Sequence, residues 1–205
     1  MALRQILLVR HGETAGASSI RYFGSTDLDL SEEGRAQMRH AAARLASRRV
    51  DLWLASNLRR SWSAAAIVSR GAPVRIDPDL REIHFGQWEG LTKQEIAARD
   101  PVLYQDWQAG TEGFEYPGGE ARAAFRARVA RGLQRMLASP AHFAAGVLHK
   151  GVIRELARQL TGAPMATSEP GLGELVVLTR VADGPWLRGE RSSDPPGVTS
   201  PRETL

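Results

Sequence analysis

The chain has 205 residues, enough for one compact α/β domain and short for two. Its 42% hydrophobic and 24% charged residues supply a sizeable core at ordinary globular composition, which favours neither a disordered chain nor a membrane class. A net charge of +4 raises nucleic acid as a partner, but only Lys93 and Lys150 are lysines and the arginines are scattered among acids, so none is expected.

Gln5 to Val9 (QILLV) is a continuous apolar run ending at a His-Gly pair, the pattern of a buried parallel strand. It is far shorter than the ~18 residues of a membrane span and too short for a signal-peptide core, so a cytoplasmic protein without a membrane partner is expected. From Ser31, a preferred N-cap, Met38, Ala41, Ala42 and Leu45 form one stripe of an amphipathic helix. Val50 to Ala55 reads as a second strand running into Ser56-Asn57, followed by a helix through Ile67. Thr92 and Glu95 form a capping-box pattern for a helix to about Arg99, and Pro101 is expected to break or bend the path. A longer helix begins near Glu120, with Phe125, Val129, Leu133 and Met136 on its inward stripe.

Ala145 to Leu148 gives a third core strand, Gly151 to Leu160 a helix, and Glu174 to Thr179 a further strand. This alternation predicts an α/β protein of three layers, α/β/α, with a mainly parallel sheet covered by helices on both faces. From Asp183 onward Gly, Pro, Ser and charge dominate, so residues 1–182 are read as the domain and 183–205 as a poorly ordered tail.

The chain contains no cysteine, which removes disulfides, thiolate zinc sites and cysteine nucleophiles and places weight on histidine. Arg10-His11-Gly12-Glu13-Thr14 follows the first strand. A neutral imidazole is a good nucleophile toward phosphorus near neutral pH, a guanidinium presents forked donors to phosphate oxygens, and Gly12 permits close backbone approach. Taken alone, a strand-end Arg-His pair suits a structural role equally well. Two more loops change that balance: Ser56-Asn57-Leu58-Arg59-Arg60 after the second strand, and Leu148-His149-Lys150-Gly151 after the third. In a parallel sheet the strands' carboxyl ends share one edge, so the three loops converge on a cationic site.

These segments resemble the histidine phosphatase superfamily, the phosphoglycerate mutase-like proteins. The resemblance rests on four ordered motifs: Leu8 to Thr14 (LVRHGET), Ser56 to Arg60 (S-x-L-x-R), Leu80 to Gly90 (LREIHFGQWEG), and His149 with Gly151, Ile153 and Arg154. It spans residues 3 to about 180. It implies a metal-independent phosphatase without a cofactor, with His11 as the nucleophile that becomes phosphorylated. It also implies that Arg10, Arg60 and His149 grip the phosphoryl group and that Glu82 is the proton donor to the leaving oxygen. The second motif selects Arg60 over Arg59. The loop Arg21 to Leu30, with Gly24 and Ser25 as phosphate-binding positions, would lie beside the site, which gives Asp27 and Asp29 turn roles. His40, His84 and His142 match no catalytic position, and no histidine pair has metal-ligand spacing.

Two departures stand out. Many relatives carry an asparagine where this chain has Ala17, so a phosphate contact is either missing or supplied by Ser18 or Ser19. Lys150 replaces a small residue, and either adds positive charge at the rim or faces solvent. Pro117-Gly118-Gly119-Glu120 matches a family turn except for Ala121, and a helix-initiating turn explains it fully. The Glu82 to Pro117 segment is too short for the insertion with which mutases of the family close over phosphoglycerate. Hydrolysis of a small-molecule phosphate monoester, by a monomer or homodimer, is therefore expected over mutase-type transfer or a catalytically silent phosphate-binding role. α-Ribazole phosphatases, fructose-2,6-bisphosphatase-like enzymes and broad-specificity phosphatases all fit the short form, and no residue selects among them.

Overall fold

The computed structural model describes residues 3–189. Six strands form one sheet in the order β3-β2-β4-β1-β5-β6: β1 (Gln5–Arg10), β2 (Leu52–Ala55), β3 (Val74–Ile76), β4 (Phe143–Leu148), β5 (Leu175–Arg180) and β6 (Trp186–Arg188). β1 to β4 run parallel, whereas β5 and β6 are antiparallel additions beside β1. The sheet is thus mixed but mostly parallel, as the alternation of elements implied.

Because β1 is buried on both faces it has no polar side. Ile6 and Leu8 pack with α5 (Arg122–Leu137) and α6 (Lys150–Thr161), while Leu7 and Val9 pack with α1 (Glu32–Leu45) and α2 (Arg59–Val68). Each such fully buried aliphatic side chain contributes about 1.5–3 kcal/mol. α1 is capped as its sequence suggests, with the Ser31 hydroxyl accepting from the Gly34 N–H at 3.1 Å. Met38, Ala41 and Leu45 on its stripe are buried, and Ala42 is only half-buried.

A third, aromatic cluster of Trp88, Ile96 and Phe114, flanked by Tyr22, Phe85, Trp107 and Tyr116, fills the space under α3 (Lys93–Arg99) and α4 (Pro101–Ala109). Both halves of the Thr92–Glu95 capping box are formed. Pro101 ends α3 but does not disorganise the chain, because it becomes the first residue of α4, where its missing N–H costs nothing.

The expectation of a poorly ordered tail from Asp183 is corrected over its first part. Trp186–Arg188 pair with β5 as β6, and Trp186 is buried in the α5/α6 core. A three-residue strand carries too little pattern to stand out among Gly and Pro. Residues 190–205 of that expectation lie outside the described residues. Among the described residues no helix is long and apolar enough to cross a membrane.

Candidate active site

The parallel registers place three loop starts side by side. Arg10 pairs with Leu148 and Ala55 with Val147, so His11, His149 and Ser56 leave the sheet at the same edge. His11 and His149 consequently meet, with ring centroids 5.2 Å apart in an edge-on arrangement.

His11 is buried, and its Nδ1 lies 2.7 Å from the Gly12 carbonyl oxygen. A carbonyl only accepts, so Nδ1 carries the proton and donates. In the neutral ring this leaves the Nε2 lone pair free. Burial, then the charges of Arg60 and Arg10, push the His11 pKa well below its ordinary value, which keeps the ring neutral. Burial and the Arg60 charge do the same to His149. Its Nε2 lies 2.7 Å from the Ser56 hydroxyl, and its buried Nδ1 has no protein partner.

These shifts carry a stability consequence. Below the ordinary histidine pKa of about 6.5 the unfolded chain takes up protons that the folded chain refuses at both rings, so stability falls as pH drops. Each histidine is expected to shift the unfolding equilibrium by up to roughly tenfold per pH unit in the interval below pH 6.5. Urea midpoints measured from pH 7 to 5 should decline, and the decline should be about halved in His11→Asn; a flat profile contradicts the neutral pair.

Arg60 is fully buried at the start of α2 and donates to the carbonyl oxygens of Phe23, Gly24 and Thr26 at 3.1, 2.6 and 2.7 Å. The same loop is held from its other side by Glu89, whose carboxylate accepts from the N–H groups of Gly24, Ser25, Thr26 and Phe85 and from the Thr26 hydroxyl. Gly24 has no alternative here, since a Cβ would stand 1.8 Å from the Ile83 carbonyl oxygen. Gly24 and Ser25 therefore join the constellation through Arg60 and Glu89. Arg10 donates one guanidinium nitrogen to the Pro170 carbonyl at 3.0 Å, and its buried Nε has no protein partner.

Glu82 is 5% exposed, with its carboxylate accepting from its neighbour Ile83 N–H at 3.0 Å and from Gly151 N–H at 2.9 Å. Gly151 permits that approach, because a Cβ there would lie 2.5 Å from Oε1 of Glu82. The segment before Glu82 is pinned to α5: Arg135 pairs with Asp77 and Asp79 at 2.7 Å, and Arg131 with Asp79 at 3.0 Å. Glu82 acts electrostatically on both Arg10 and Arg60. All five catalytic positions inferred from the motifs thus gather at one sheet edge.

Four supporting residues were not singled out by sequence. Glu89 sits inside a quoted motif, and Ser56 begins another. Glu13 accepts from the Ser18 hydroxyl at 2.8 Å and from the Ser19 N–H at 3.0 Å, so both serines are committed to organising this turn. Ala17 within it has φ +60°, a left-handed conformation that asparagine tolerates better than alanine. The fourth, Arg128, is a charged residue three positions after Phe125 on the buried stripe of α5.

Residues 6–189 match the histidine phosphatase superfamily, branch 1. The chain belongs to that superfamily. This histidine phosphatase is 33% identical over 175 residues to glucosyl-3-phosphoglycerate phosphatase of Mycolicibacterium vanbaalenii, covering 80% of its own length and 77% of the relative's. It is 31% identical over 166 residues to the adenosylcobalamin/α-ribazole phosphatase of Salmonella typhimurium, covering 80% and 82%. Its fold superposes on a mycobacterial glucosyl-3-phosphoglycerate phosphatase solved with inorganic phosphate, with a TM-score of 0.75, 28% identity and coverage of 93% and 97%.

Proposed function

We propose that this histidine phosphatase hydrolyses a small-molecule phosphate monoester through a phosphohistidine on His11, without metal or cofactor. The observation that carries this reading is the tautomer of His11, whose Nδ1–H is spent on the Gly12 carbonyl while burial and the charges of Arg60 and Arg10 keep Nε2 unprotonated. Relatives bearing the names of phosphatases for two different small phosphate esters support it.

In the first half-reaction the Nε2 lone pair forms a bond to phosphorus as the ester P–O bond breaks. Glu82, entering as the carboxylic acid, gives its proton to the departing alkoxide. Arg10 and Arg60 balance the phosphoryl charge. With the Ser56 hydroxyl donating to Nε2 of His149, the proton of that neutral ring sits on Nδ1 and is free for a phosphoryl oxygen. In the second half-reaction Glu82, now a carboxylate, accepts a proton from water as its oxygen attacks phosphorus. The N–P bond breaks and neutral His11 is restored.

Water is favoured over a phosphoglycerate as acceptor because the chain between Glu82 and Pro117 is taken up by a 3-10 turn at Gly86–Trp88, by α3 and α4, and by the aromatic cluster beneath them. The test is turnover of p-nitrophenyl phosphate in EDTA between pH 5 and 8; no turnover removes the phosphatase reading. Glu82→Gln is expected to slow alkyl phosphates on the order of 10²-fold or more, and aryl esters much less, since a nitrophenolate leaves without a proton. Equal losses for the two ester classes would count against Glu82 as the acid.

A further inference from the structure

Glu89 takes no part in the phosphoryl chemistry, yet its carboxylate and the Arg60 guanidinium hold the same two peptide groups from opposite ends. The peptide joining Phe23 to Gly24 donates its N–H to Glu89 at 3.0 Å, and its carbonyl oxygen accepts from Nη2 of Arg60 at 3.1 Å. The next peptide, joining Gly24 to Ser25, repeats the pattern at 3.0 and 2.6 Å. Each peptide dipole therefore turns its positive end to the carboxylate and its negative end to the guanidinium, which favours both charges. Among the described residues Glu89 has no direct ion pair, so these peptides are its link to a cation.

Thr26 completes the arrangement. Its N–H and hydroxyl donate to Glu89 at 3.3 and 2.6 Å, while its carbonyl oxygen accepts from Nη1 of Arg60 at 2.7 Å. Among the described residues these three loop carbonyls are the only acceptors of the buried guanidinium, so where Arg60 sits depends on where the loop sits. Both Nη atoms are engaged, and the buried Nε has no protein partner. A guanidinium is planar and rigid, so holding both Nη atoms fixes the direction of the Nε–H, a donor left for a phosphoryl oxygen. The carboxylate is itself anchored from the Glu82 segment by the Phe85 N–H at 3.0 Å. Its approach to both peptides needs glycine at position 24, where a Cβ would stand 2.6 Å from Oε1 of Glu89.

We propose that Glu89 is a positioning residue of the phosphoryl site: acting across the Phe23–Gly24 and Gly24–Ser25 peptides, it holds the Arg60 guanidinium in the orientation that binds the phosphoryl group. The proposal rests on the reading of Arg60 as a phosphoryl ligand. Glutamine at position 89 keeps the shape and removes the match. Oε1 accepts from the N–H groups of Gly24, Ser25 and Phe85, and Oε2 from those of Gly24 and Thr26, so either way round the amide NH2 meets N–H donors. The loop is then pushed outward and the carbonyls that orient Arg60 go with it.

Titration calorimetry with inorganic phosphate tests this on the wild type, Glu89→Gln, Arg60→Met and the double variant. Each titration separates two effects, since loss of folded protein lowers the stoichiometry whereas a misdirected Arg60 raises Kd at the sites that remain. Glu89→Gln and Arg60→Met are each expected to weaken phosphate binding by about tenfold or more. The double variant should stay within roughly threefold of Arg60→Met, because Glu89 then has no guanidinium left to orient. A wild-type Kd in Glu89→Gln beside a tenfold loss in Arg60→Met overturns this proposal alone. Losses that multiply in the double variant also overturn it, since Glu89 would then act on phosphate by another route. A wild-type Kd in Arg60→Met removes the phosphoryl role of Arg60, and the proposal with it. If Glu89→Gln yields no folded protein, Glu89→Asp carries the test: its carboxylate recedes by one methylene, Kd is expected to rise about threefold or more, and an unchanged Kd overturns the proposal. Turnover of p-nitrophenyl phosphate by the wild-type preparation reports separately on the phosphatase reading.

Discussion

His11→Asn is expected to reduce kcat/KM for p-nitrophenyl phosphate by about 10⁴-fold or more while the protein still binds inorganic phosphate. The size of the loss follows from the absence of any substitute. The chain has no cysteine, and the Nε2 of the neighbouring His149 is occupied by the Ser56 hydroxyl. Arg10 and Arg60 remain to hold the anion, so binding survives where bond formation does not. Thermal unfolding of the variant should stay within a few degrees of wild type, since one buried hydrogen bond to Gly12 is worth only ~1 kcal/mol. A variant that keeps a tenth of wild-type activity contradicts the assignment of the nucleophile.

The largest effect on stability is expected from Arg128→Met. Arg128 is 4% exposed, and its guanidinium donates to the carbonyl oxygens of Asp79, Arg81 and Glu82 at 2.9, 2.6 and 3.0 Å. It also forms a two-point pair with Glu120 at 2.6 and 2.7 Å and stacks over the Phe125 ring. Methionine matches the side chain's stem but leaves the Glu120 carboxylate and three carbonyl groups without their donor. Breaking one side of such a buried pair costs about 3–5 kcal/mol, readable as a shift of the urea midpoint. The variant carries a catalytic signature too, because Arg128 fixes the backbone of Glu82. Alkyl phosphates, which need the proton, should lose more kcat than aryl esters. Arg128→Met combined with Glu120→Met removes the stranded charge and should recover part of the stability without restoring the alkyl-to-aryl ratio. A loss below ~1 kcal/mol for the single variant would contradict the buried-anchor role.

Legibility in the sequence followed the physical nature of each feature. β1 and β4 announced themselves as apolar runs because central parallel strands are buried on both faces, β2 showed itself by alternation running into Ser56-Asn57, and the three carboxyl ends carried Arg10-His11, Ser56 and His149 together. α1 and α3 were readable from Ser31 and Thr92, whose caps depend on local spacing. β3 and β6 were not, since a three-residue edge strand is defined by its neighbour and not by a pattern of its own. Pro101 was ambiguous for a related reason: the same ring that ends one helix is welcome at the first position of the next. The site's frame was hidden more deeply. Glu89 satisfies four backbone N–H groups and Arg128 three carbonyls, and such roles arise from tertiary placement. In sequence each is one charged residue among many. For Arg128 the only signal was its location on an otherwise apolar stripe, where a charge demands a partner.

The central claim is that phosphorus is transferred twice, first to His11 and then to water. Hydrolysis, in water of a third oxygen isotope, of a phosphorothioate monoester made chiral at phosphorus with two oxygen isotopes tests it most directly, because each in-line displacement inverts the configuration. Net retention in the released thiophosphate is the predicted result. Net inversion would mean a single attack by water on the ester and would contradict the phosphohistidine.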